Sequence, residues 1–146
     1  MLFDQEPLRY RPNGYADAAR PERGELGHVV DTTMFFGERS GGIKRYLLAK
    51  RTWIRRYRPD LRHTVVVPGR ADRGESAGFV EVASPPIPFS DGYRWPVGRR
   101  KWSDVIVEAR PDLIEAGDAF LPGRAAQEAG ARCGAPVVGF CHTDPA

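Results

Sequence analysis

The chain has 146 residues, 41% apolar and 28% charged, with a net charge of +3, which is the make-up of one ordinary globular domain with room for a real core. No stretch approaches the roughly 20 apolar residues of a membrane span, and the N-terminus lacks the basic-then-apolar layout of a secretion signal, so a cytoplasmic location is expected. Cys133 and Cys141 form no C-x-x-C pair and read as packing thiols; the 22 basic residues are scattered among 19 acidic ones instead of gathering with aromatics, so no nucleic-acid partner is expected.

In chain order, residues 1–25 are polar, rich in Arg, Pro and Gly and without periodicity, and are expected to form a flexible arm. A globular domain is then expected over 26–146. His28-Val29-Val30-Asp31-Thr32-Thr33 reads as a buried strand. Ile43, Tyr46, Leu47, Ile54 and Tyr57 recur at helical spacing and predict a helix over 43–57, ending before Pro59. His63 to Val67 is a second strand, stopped by Pro68-Gly69, and 70–77 reads as a charged loop. A short strand at 79–82 leads into a Pro-rich loop over 84–96. Trp102, Val105, Ile106 and Ala109 mark the next helix, ending before Pro111. A strand follows at 112–116. The helix over 120–133 has Pro122 in its first turn, Leu121, Ala125, Ala129 and Cys133 on one stripe, and Gly134 as its stop. The last strand covers 136–140.

The strands carry continuous apolar runs more than alternation, as in a parallel sheet covered on both faces. The order β-α-β-β-α-β-α-β therefore predicts an α/β fold, a Rossmann-like open parallel sheet with helices on both faces.

Ser40-Gly41-Gly42-Ile43 sits at a strand-loop-helix junction. Two glycines there let a ligand approach the backbone, and the unpaired N–H groups of the helix's first turn would face an anion such as a phosphate. The same residues also have a plainer use, with Ser40 capping the helix and the glycines turning the chain. Neither G-x-G-x-x-G nor G-x-x-x-x-G-K-[ST] is present, which removes the main support for a nicotinamide or P-loop site. Glu115, Asp118 and His142 leave strand C-terminal ends, where open α/β sheets place their ligands. On local grounds alone Asp118 is equally an ordinary turn residue, and His142 a strand cap. His142 with Asp144 lacks a third metal ligand, so no metal is expected. His28 and His63 flank strands and read as structural.

The ordered set Ser40-Gly41-Gly42-Ile43, Pro111-Asp112-Leu113-Ile114-Glu115-Ala116-Gly117-Asp118 and Gly134-Ala135-Pro136-Val137-Val138-Gly139-Phe140-Cys141-His142-Thr143-Asp144 resembles the N-terminal domain of the GT-B glycosyltransferases, closest to family 4. Ser84-Pro85-Pro86-Ile87-Pro88-Phe89 with Gly92-Tyr93-Arg94 resembles a loop of some members. The resemblance implies the acceptor-side half of a retaining, sugar-nucleotide-dependent enzyme. Such an enzyme moves a hexose such as mannose to a lipid-linked or glycan acceptor, with no metal or other cofactor. It implies that Ser40, Gly41, Gly42 and Ile43 face the donor diphosphate. His142 would contact the transferred sugar, and Glu115 and Asp118 would grip acceptor hydroxyls, with Tyr93 and Arg94 as further acceptor contacts.

The C-terminal donor domain with its E-x7-E motif is expected to be absent, the chain ending four residues past His142, so the isolated chain is expected to be inactive. The alternative reading is a non-catalytic α/β binding domain derived from such an enzyme. Lys44, Arg51, Arg55 and Arg58 fall along one side of the first helix, either as a solvated face or as a surface for peripheral contact with the inner face of a membrane.

Overall fold

The computed structural model describes residues 26–39 and 41–140. The expected arm at 1–25, Ser40, Cys141 and His142 lie outside the described residues. Among the described residues six strands and three helices follow in the order β1 (His28–Thr32), α1 (Gly42–Tyr57), β2 (Arg62–Gly69), β3 (Arg73–Ser76), β4 (Phe79–Ala83), α2 (Arg99–Glu108), β5 (Leu113–Ala116), α3 (Leu121–Cys133) and β6 (Val137–Gly139). The sheet order is β3-β4-β2-β1-β5-β6. Every pairing is parallel except that of β3 with β4. Without β3, the order is that of a doubly wound Rossmann sheet, which reverses direction between β1 and β5. The open sheet expected from the sequence is what the chain forms.

Alternation along the inner strands feeds two cores. Val30, Val66, Val82 and Ile114 point to the face covered by α2 and α3, where Trp102, Ile106, Ala125, Ala126 and Ala129 meet them. Val65 and Val67 point to the other face, under Leu47 of α1, with Phe36, Ile43, Tyr46 and Phe79 packed around them. Helices thus cover both faces; β1-α1-β2 and β5-α3-β6 are strand-helix-strand crossovers of the expected kind, whereas β2 reaches its parallel neighbour β4 through the edge strand β3.

Three expectations need correction. The charged segment at 70–77 contains β3, an exposed edge strand joined to β4 through Ala77 (φ 49°) and Gly78 (φ 82°), the pair of positive φ values that a tight two-residue hairpin requires. It shows no apolar alternation because all four of its residues are exposed, and charge on such an edge discourages unwanted pairing. The second strand does not stop at Pro68 but runs to Gly69. Its pairing with β1 ends at Val66, so Pro68 has only β4 beside it, a position that tolerates a missing N–H. Cys133 is exposed, not packed; the stripe that α3 buries centres on Ala125, Ala126, Ala129 and Gly130.

The two histidines are structural, as read. His28 is buried with Nε2 2.8 Å from Thr64 Oγ1, and burial, helped by the nearby Arg62, holds its pKa below the ordinary value. His63 is buried with Nε2 2.5 Å from Asp31 Oδ2. Gly134 ends α3 at φ 77°, donating to Gly130 O, and Pro122 opens the same helix as the sequence predicts.

Candidate functional site

Because β1, β2, β4, β5 and β6 run parallel, their C-terminal ends share one edge of the sheet, and the reversal between β1 and β5 opens a crevice there. The loop from β1 to α1 and the loop from β5 to α3 both leave at this point. Asp118 ties them together. Its Oδ2 accepts hydrogen bonds from Thr33 Oγ1 (3.0 Å) and Met34 N (2.7 Å), and its Oδ1 accepts one from Phe120 N (2.9 Å). Phe35 adds an aromatic link, edge-on to both Phe120 and Tyr93.

Gly41 is the N-cap of α1, and no side-chain hydrogen bond caps that helix among the described residues. Both Gly41 and Gly42 are exposed, and a Cβ added at either would meet nothing within 4 Å. The fold itself therefore does not demand glycine at these positions. The first-turn N–H groups open toward the crevice edge, the arrangement that suits an anion.

Glu115 is placed elsewhere. It lies opposite Asp31 across the β1–β5 pairing, on the face covered by α1, and Lys50 Nζ reaches both carboxylates, at 2.6 Å and 2.8 Å. Burial alone would push the Lys50 ammonium down, but the Asp31 and Glu115 carboxylates outweigh it and hold its pKa above the ordinary value. This cluster clamps α1 to the middle of the sheet. Burial likewise raises the Tyr46 phenol, with Lys50 opposing and Glu115 and Asp31 assisting.

Tyr93 and Arg94 stand on a small hairpin over 85–95. It is closed by the Pro86–Arg94 bridge and by Ile87 N to Tyr93 O, Tyr93 N to Ser90 O and Trp95 N to Pro85 O. The hairpin leans on the β1–α1 loop where Gly37 meets Gly92, and a side chain at Gly37 would press on Tyr93 and the Gly92 backbone. Between hairpin, loop, α1 and the ends of β2 and β4 lies a cavity of about 600 Å³, lined by residues that include Phe36, Lys44, Arg73, Glu81, Tyr93 and Arg94. A second cavity of about 680 Å³ lies on the other side of the sheet between α2 and α3. The glycine loop flanks only the first.

The expected basic stripe is mostly spent on the protein. Lys44 donates to Gly37 O and Glu38 O, Arg51 to His63 O, and Arg58 pairs with Asp60, leaving Arg55 exposed. The structure thus brings Gly41, Gly42, Ile43, Asp118, Tyr93 and Arg94 to one edge and sets Glu115 under α1. Phe140 leaves β6 at the same edge and stacks on Tyr46 of α1 at 5.3 Å. Arg73 and Glu81 carried no site role in the sequence reading. The signal for Glu81 was a lone carboxylate inside the apolar strand Phe79-Val80-Glu81-Val82.

Fold and crevice define a Rossmann-like α/β domain with a candidate site at the strand reversal. Residues 40–146 match the profile of Glycosyltransferase Family 4, and the chain belongs to that family. No curated protein and no solved structure matches the chain. Among the described residues no helix is long and apolar enough to cross a membrane.

Proposed function

We propose that this chain is the acceptor-side domain of a retaining, sugar-nucleotide-dependent hexosyltransferase. One observation carries the reading: an exposed Gly41-Gly42 helix start at the strand reversal, beside a cavity walled by Tyr93 and Arg94. Here the donor diphosphate lies against the backbone of residues 40–43, and the acceptor enters the cavity. Asp118 acts by holding the two crevice loops, since its oxygens already take three hydrogen bonds. Glu115 acts by fixing α1 and, with it, the glycine loop.

His142 follows the strand end that Phe140 brings beside α1, and in this reading it steadies the transferred sugar. In this reading the nucleotide is held by a second domain of the enzyme. A lipid-linked acceptor would place the protein at the inner face of a membrane, and mannose is one hexose that fits.

The test is steady-state kinetics on a completed enzyme, the chain joined to a related second domain. His142→Ala should leave the thermal melt unchanged and lower turnover about a hundredfold or more, the cost of one lost transition-state contact of about 2.7–4 kcal/mol. Near-parental turnover with an earlier melt would make His142 structural.

A further inference from the structure

The carboxylates on the cleft side of the sheet differ in what they already hold. Asp118 takes three internal hydrogen bonds, Asp31 and Glu115 share Lys50, and Glu38 pairs with Arg70. Glu81 lines the cavity, yet its side chain makes no hydrogen bond or ion pair with any described residue. It stands on β4 directly across from Arg73 of β3, a position from which oppositely charged side chains ordinarily reach each other. Arg73 also lines the cavity, and no ion pair joins the two.

The floor is cut to admit this side chain. Gly69, on the neighbouring strand, lies so close that a Cβ there would collide with the Glu81 carboxylate and stem. Phe36 and Tyr93 supply aromatic walls.

We propose that Glu81 is the residue that selects the acceptor, binding the hydroxyls of a neutral sugar ring with Arg73 as its partner. This rests on the glycosyltransferase reading of the cleft. A sugar hydroxyl donates one hydrogen bond and accepts another, so it fits between a free carboxylate and a free guanidinium. Either charge alone would suit an ion; an unjoined pair of opposite sign suits a neutral polyol. The aromatic walls then face the apolar side of the ring.

The test uses the 146-residue chain, ¹⁵N-labelled and titrated with methyl α-glucopyranoside, methyl α-mannopyranoside and methyl β-galactopyranoside. At least one glycoside should shift the amide signals of Gly69 and Gly92. Glu81→Gln keeps size and shape and removes no internal contact, so its melt should match the parent while the dissociation constant rises about tenfold, the weight of one charge-assisted hydrogen bond. Glu108→Gln, at the exposed end of α2, should change nothing. A glycoside bound at the cleft equally well by Glu81→Gln overturns the assignment and leaves the glycosyltransferase reading standing. Silence of the cleft toward all three overturns the assignment as well, while the kinetics of the completed enzyme judge the wider reading separately.

Discussion

Asp118 shows how one side chain can tie two loops together. Its two oxygens collect a hydroxyl and two backbone N–H groups from both sides of the strand reversal, and Thr33 Oγ1 in turn accepts from Phe35 N. Removing the carboxylate orphans part-buried donors, so Asp118→Ala should destabilise the fold by about 1–3 kcal/mol, measured by urea denaturation. An unchanged midpoint would mean the loops are held by other contacts. The sequence placed Asp118 at the strand end but could not show its partners, because Thr33 and Met34 lie 84–85 residues away. Glu115 was misleading for a related reason. One position along a strand reverses the face, and Glu115 points to α1, where Lys50 meets it.

The elements themselves were largely legible. α1 and α3 announce themselves by apolar spacing, and Pro122 and Gly134 mark the ends of α3 through fixed backbone preferences. β3 was hidden because an exposed edge strand need not alternate. The cleft-side hairpin over 85–95 was hidden because backbone hydrogen bonds define it, with no periodic pattern to read. The seating of α3 depends on close approach. A Cβ at Gly123 would collide with the Asp118 carbonyl, and one at Gly130 would lie 2.8 Å from Ala135 O and strike Val137. Gly123→Ala should therefore destabilise by about 1–3 kcal/mol despite alanine's better helix propensity. A differential scanning trace showing a higher melting temperature would reveal slack between α3 and the β5 exit.

At the scale of the molecule, parallel strands put every functional loop on one edge, and the reversal between β1 and β5 provides the crevice. The proposed function sets the donor at the glycine loop, and that is where it can be tested against the fold. Gly42 is a helix position with open space around it, so a larger side chain costs the fold nothing by contact. Glycine is moreover a poor helix former. A fold-only account predicts that replacing it is harmless; a diphosphate against the backbone predicts that it is not. The decisive measurement is sugar transfer by the completed enzyme carrying Gly42→Val, with a thermal melt alongside. The account predicts an unchanged melting temperature, weakened donor affinity and turnover reduced about a hundredfold. Parental donor affinity and turnover in a folded Gly42→Val enzyme would contradict it.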